Sequence, residues 1–477
     1  MLAGATIALL AFRDGGYFPS SWRSATVALL AAAALAVVLR RARAPSRGQL
    51  AVAVALGALA GWTALSARWS PDPDASLLEA QRTLVYVAAI VAAVAVGGRL
   101  LAGTLAAIAL ICAYSVGQRL LEGPPDPPLP FSGTLLQEPL GYANALGGLA
   151  AVGLATTVAL VRVPRLRLLL PVLGGLFVVT LALTENRSGW LAALAGAAVA
   201  LPLAWGRRRL AMSVAAVVGL ALALVLTLPT LSLADDLAPH AGNRVWYWHV
   251  AWQEVSEAPV AGRGAGTCEL SWLEEQPISE SVLDAHSLYV ETLAELGLVG
   301  LGLLALALAP PLGAAFRGAS AAAAGGYVAF LFHAGVEWDW EMPAVTVAGL
   351  LCGATLLLQD SGVRGVIMGS KRKERISDQN DKRQEGALMS RISRNARAAL
   401  ATALVMVLVL AIAALAGAAP GKGKPGKPGK SAKAAPAAAQ YQYGKKKVTL
   451  CHKGKTITVG APAAKAHLRH GDKLGRC

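Results

Sequence analysis

The chain has 477 residues, of which 55% are hydrophobic and only 15% charged, and its mean hydropathy is +0.52. That is too little charge to cover the surface of a water-soluble protein of this length, so a soluble globular enzyme is excluded. The formal net charge of +16 misleads as a whole-chain value, because residues 421–477 alone hold 14 Lys/Arg against one Asp and leave the rest close to neutral.

Before residue 360 the apolar residues come in nearly charge-free blocks of 15 to 22. Such blocks are long enough to cross ~30 Å of hydrocarbon as helices. Ala/Leu/Val runs without alternation predict helices rather than barrel strands. Twelve spans are expected, at about 1–12, 24–39, 49–66, 83–97, 100–117, 141–161, 168–184, 189–205, 210–228, 293–315, 320–336 and 343–358. The fold class is therefore an all-α membrane protein, its body at 1–360 interrupted by one large loop at 229–292. Arg40, Arg41, Arg43 and Arg47 fall in one connection, Arg162, Arg165 and Arg167 in another, and Arg207, Arg208 and Arg209 in a third. Counting helices in order puts all of them on one side with Arg317 and the basic run 371–397. The positive-inside bias makes that side cytoplasmic and the large loop extracytoplasmic, in a multi-pass protein of the inner membrane. The opposite loops are rich in Trp, Pro and acids; Trp62, Trp69 and Trp205 read as interfacial anchors.

Past residue 360 the character changes. Residues 361–398 read as a basic cytoplasmic linker. The apolar helix at 399–418 follows Met389-Ser-Arg-Ile-Ser-Arg-Asn-Ala-Arg397 and ends in small residues. It is either a thirteenth span or a signal-peptide-like start of a once separate secreted module. A Lys/Gly/Pro/Ala-rich linker, 419–444, leads to a small β-containing module at 445–477 bracketed by Cys451 and Cys477. A disulfide between them suits an extracytoplasmic fold this small; a zinc site with His452, His467 and His470 would match no standard ligand spacing. Being outside, the basic tail suits an anionic envelope polymer or lipid headgroup rather than nucleic acid.

The chemistry-bearing residues gather in the outer loop. It reads Asn243-Arg244, a Trp-rich helix, Pro259, then Gly262-Arg263-Gly264-Ala-Gly266. It ends in Asp284-Ala-His286-Ser-Leu-Tyr289-Val-Glu291 and Glu295-Leu-Gly297. Other polar groups stand at span ends: Gly141-Tyr142-Ala143-Asn144, Thr184-Glu-Asn-Arg187-Ser-Gly189, and Glu337-Trp-Asp339-Trp. The glycine run has no strand–turn–helix frame, so it does not read as a nucleotide loop. In order, spacing and shared side, this set resembles the O-antigen ligase/polymerase (Wzy-type) family of polytopic membrane glycosyltransferases, over residues 50–358. Ser287 stands where that family commonly has Asn.

The resemblance implies transfer of a glycan from an undecaprenyl-diphosphate carrier to an acceptor hydroxyl on a glycan, lipid or protein. A diphosphate leaving group calls for cations that stay charged and grip paired oxygens, which Arg does. Arg187 and Arg244 are expected to bind it, with Arg263 as a third contact. His286 is the expected general base, since imidazole titrates near neutrality. Asn144, Tyr289, Glu291 and Asp339 are expected to bind or orient substrate. No cofactor is expected, and no metal, because no outer carboxylate cluster has metal-ligand spacing in the sequence. The bland alternatives are a snorkelling Arg187, a solvated Arg244 and a capping His286. At the level of the molecule the alternatives are a transporter or lipid-glycan flippase, and an envelope-binding scaffold. Transporters, however, place polar groups and broken helices at the midplane, often in repeated halves.

Overall fold

The computed structural model describes residues 2–126, 128, 133–227, 243–275, 277–278, 280, 282–373, 447–460 and 473–474. Among the described residues nine α-helices precede the long loop: α1 (Leu2–Ala11), α2 (Pro19–Val38), α3 (Arg47–Ser66), α4 (Pro73–Val96), α5 (Leu100–Glu122), α6 (Ala143–Ala159), α7 (Leu169–Thr184), α8 (Arg187–Ala204) and α9 (Arg208–Thr227). The loop contains α10 (Arg244–Glu257) and α11 (Cys268–Glu275), and α12 (Leu288–Phe316), α13 (Ala321–Ala334) and α14 (Pro343–Lys373) follow it. Each of the twelve apolar segments expected before residue 360 overlaps one of the helices outside the loop. Among the described residues, eight helices are long and apolar enough to cross a membrane: α2 to α6, α8, α9 and α12. The others, α1, α7, α13 and α14, hold shorter apolar stretches. The protein is thus a mostly helical, multi-pass membrane protein.

Local chemistry sets the helix starts. Ser46 and Gln49 close a reciprocal capping box on α3, at 3.3 and 2.8 Å. Asp72 caps α4 just before Pro73, and Asn186 accepts from Gly189 N–H at 2.9 Å to cap α8. Each satisfies donors that a helix start would otherwise leave open. In the centre α6, α8 and α13 pack backbone to backbone. A Cβ on Gly196 would lie 2.4 Å from the Gly325 carbonyl oxygen. Small residues permit such approach where lipid supplies no hydrophobic drive between helices.

α14 continues to Lys373, past the expected span end and into the expected linker; no proline interrupts that stretch. The rest of that linker, the 399–418 helix and the 419–444 linker lie outside the described residues. In the last module β1 (Lys447–His452), β2 (Lys455–Gly460) and β3 (Lys473–Leu474) form an antiparallel sheet in the order β2-β1-β3. Lys453 and Gly454, both at positive φ, make its two-residue hairpin turn. Cys451 is disulfide-bonded; Cys477 lies outside the described residues.

Candidate functional site

The site is built around a break in α12. At Gly297 the chain takes φ 66° and ψ −169° inside the helix. The break deprives Ala294 and Glu295 carbonyls of their helical partners, Leu298 and Val299 N–H. The 259–264 stretch exchanges with them: Arg263 N–H donates to Ala294 O (3.1 Å) and Gly264 N–H to Glu295 O (2.8 Å). In return Leu298 N–H donates to Pro259 O (2.9 Å) and Val299 N–H to Val260 O (3.3 Å). Trp62 Nε1 donates to the next freed carbonyl, Leu296 O, at 3.0 Å. The two carbonyls and two N–H groups of the exchange are thus all paired again, as a broken helix at membrane depth requires.

The glycines are there for contact. A Cβ on Gly262 would lie 2.2 Å from the Glu295 backbone, and one on Gly297 would lie 2.2 Å from Val260 O. The Glu295 carboxylate then accepts N–H bonds from Gly266 (2.8 Å), Thr267 (2.8 Å) and Cys268 (3.0 Å), holding the start of α11. The glycine run is therefore a clamp on a broken helix. Trp69, expected as an interfacial anchor like Trp62, donates instead to Gly262 O at 3.1 Å.

On this platform the start of α10 meets the turn between α13 and α14. Arg244 is ion-paired to Glu337. Glu337 is a hub: Asn144 Nδ2 donates to it at 2.8 Å, Tyr142 OH at 3.0 Å and Ser188 Oγ at 3.3 Å. Asn186 Nδ2 donates to Asn144 O at 2.8 Å and lies 3.0 Å from His333 Nε2, while His333 Nδ1 lies 2.7 Å from Asp339. So the span-end motifs at 141–144, 184–189 and 336–340 form one network under Arg244. Glu337 has 1% of its side chain exposed against 29% for Arg244, so the guanidinium is fixed from below with part of it open.

His286 stands beside this pair. Its ring centroid is 5.1 Å from that of Tyr247, one turn along α10 from Arg244, and 6.4 Å from that of Trp338. Its backbone is at φ +55°, a left-handed conformation uncommon for a side-chain-bearing residue and often found at working sites. Nδ1 lies 3.0 Å from the Asp284 carbonyl oxygen, which only accepts, so Nδ1 carries the proton. The lone pair of the neutral ring is then on Nε2. Burial, and after it the nearby Arg244 charge, push the imidazole down to about 3, against a weak lift from the Asp284 bond. Trp338 Nε1 is buried without an acceptor among the described residues.

The other expected site residues are placed as follows. Arg187 opens α8 between two network members, Asn186 and Ser188; it is exposed, with no acidic partner among the described residues. Arg263 is taken by protein carboxylates, Glu274 at 2.6 Å and Glu254 at 3.4 Å. Tyr289 ties α12 to α13 by donating to Leu331 O at 2.8 Å. Glu291 accepts Ala285 N–H at 2.7 Å and shapes the turn that carries His286.

Sequence reasoning did not foresee one group. Asp284, Glu291 and Glu341 bring carboxylate oxygens within 4.8 Å of one another, close enough to share a cation. Arg82, 3.4 Å from Glu341 and 2.8 Å from Glu79, already places a positive charge there. Burial and then Asp284 push Glu341 up, with Arg82 opposing. His333 was also missed. Its one signal is that it is polar inside an apolar span, where ionisable residues are rare.

No curated protein matches the chain. A family model described as O-antigen ligase matches residues 172–305, from within α7 to within α12. The matched stretch includes Arg187, Arg244, Arg263, His286, Tyr289 and Glu291, and over it the chain is similar to the O-antigen ligase family.

Proposed function

We propose that this protein transfers a glycan from an undecaprenyl-diphosphate carrier to an acceptor hydroxyl on the outer side of the inner membrane. The likeness to O-antigen ligases over residues 172–305 supports membrane glycan transfer in general; the donor, the acceptor side and the residue roles are our reading. What carries it is the apposition of Arg244, held by buried Glu337, with a neutral His286 whose lone pair is on Nε2.

In that reading the diphosphate sits on Arg244, with Arg187 at the same edge. The acceptor oxygen attacks the anomeric carbon as the bond from that carbon to the diphosphate oxygen breaks. The electron pair leaves with the lipid diphosphate, where Arg charge stabilises it. The acceptor proton passes to His286 Nε2. A single displacement inverts the anomeric centre and needs no covalent enzyme intermediate. Arg244 holds down the basicity of His286 in the free protein. An anionic diphosphate on Arg244 offsets that charge, so the base strengthens when donor is bound.

The test uses purified protein, an undecaprenyl-diphosphate glycan and candidate glycan, lipid or protein acceptors. His286→Ala and Arg244→Ala are each expected to lower transfer by about 10²–10³-fold while keeping the wild-type elution profile in detergent. Full transfer by both variants would overturn the assignment. The identity of the product names the acceptor.

A further inference from the structure

At the ends of the helices away from the site, α1, α2, α4, α5 and α14 enclose a cavity of about 240 Å³. Its walls are mostly apolar, with Leu29, Ala89, Ala93 and Leu351 among them, and Thr6 and Arg99 also line it. From Ala89 to Gly97 the cavity follows α4 for about 12 Å at the helical rise. It is therefore a lane rather than a bowl. Ala89, Ala92 and Ala93 lie on one face of α4 and all line it, so short side chains leave the lane open.

A second cation stands at the same end. Arg43 packs so closely on Gly97 that a Cβ there would be 2.8 Å from its Nε. Both arginines are exposed residues, and neither has an acidic partner among the described residues. Glu79, near the start of α4, lines the acidic cavity beside Glu291 and Glu341. Gly97 is eighteen residues on, about 27 Å by the helical rise. The occupant of this cavity is therefore not the group bound at Arg244.

A mostly apolar lane within a membrane suits an alkyl chain better than a sugar. A pair of arginines at its mouth selects an anionic head. We propose that the cavity holds one acyl chain of an anionic phospholipid, with its phosphate on Arg99 and Arg43. This site does not rest on the transferase reading, since lipid retention can be measured without any glycan donor.

The test places the full chain in nanodiscs of phosphatidylglycerol or of phosphatidylcholine with the same chains, then counts retained lipid by native mass spectrometry. One tightly held phosphatidylglycerol is expected, preferred over phosphatidylcholine by about tenfold, given two rim charges. Arg43→Ala with Arg99→Ala abolishes the preference. Ala93→Phe, which fills the lane, abolishes retention of either lipid. Inorganic phosphate leaves retention unchanged. Equal retention of both lipids, or displacement by phosphate alone, overturns the proposal, as does undiminished retention in a folded Ala93→Phe protein. The two arginines are exposed, so their variant decides the matter if Ala93→Phe does not fold.

Discussion

In the proposed reaction His286 and Arg244 are the residues on which the chemistry turns, and both have measurable signatures. The folded His286 is held near 3, whereas an unfolded histidine titrates at about 6.5. As pH falls below about 6.5 the unfolded chain takes up a proton that the folded one refuses. Stability is therefore full above that pH and declines by up to about 1.4 kcal/mol per unit towards 3. The wild-type melting temperature should fall further between about pH 7.5 and about pH 5 than that of His286→Asn, which cannot titrate there; equal falls would show an exposed imidazole. Glu337→Gln should leave Arg244 without its buried counter-charge and cost transfer the equivalent of about 1–3 kcal/mol, with partial recovery in Glu337→Asp. An unchanged kcat/KM in Glu337→Gln would mean that Arg244 needs no such support. The motifs that hold Arg187, Arg244 and His286 were legible in the sequence because each has distinctive neighbours. Glu337 could be read from the sequence as a group that orients an arginine, but its place as hub, and His333 beside it, could not. Their importance lies in contacts between α6, α8 and α13, which no local spacing encodes.

At the scale of elements, the positions of the helices were legible from apolar block length, and the broken α12 was not. A glycine within an apolar run signals packing, a kink or nothing, and only the partner loop decides among them. The same loop explains why Trp62 and Trp69 are hydrogen-bonded residues rather than plain anchors: their acceptors are carbonyls that only the break and the clamp expose. Gly297→Ala places a side chain at positive φ against Val260. It should lower the melting temperature and open the 258–267 stretch to protease while α3 to α6 stay protected; unchanged protease resistance would argue against the clamp. Glu254 offers an opposite pH signature in the same loop. Burial pushes it up to about 7 despite Arg263. It favours the folded state at low pH, and that contribution is lost as pH rises from about 4.5 through 7. Glu254→Gln, a mimic of the protonated form, should flatten the loss; an equal loss in the variant would assign it to other groups.

For the whole molecule, the arginine-rich connections and the site lie at opposite ends of the bundle, as α4 shows by carrying Glu79 near one end and Gly97 after the other. That is why charge bias could be read as sidedness from the sequence. Single cysteines placed at residues 165 and 257 in a background lacking Cys112, Cys268 and Cys352 test it in intact cells. A membrane-impermeant maleimide should label the second only, and the reverse pattern would invert the topology. Removal of 389–477 should leave glycan transfer at wild-type level; loss of transfer would give the tail module a part in the chemistry. The four exchanged hydrogen bonds at Gly297 have a practical consequence for engineering. An excursion of some sixty residues between α9 and α12 and the first turns of α12 share one set of backbone partners. A graft of the loop from a relative would orphan those partners unless it carried residues 288–299 with it, so the smallest exchangeable cassette ends inside the bilayer rather than at its surface.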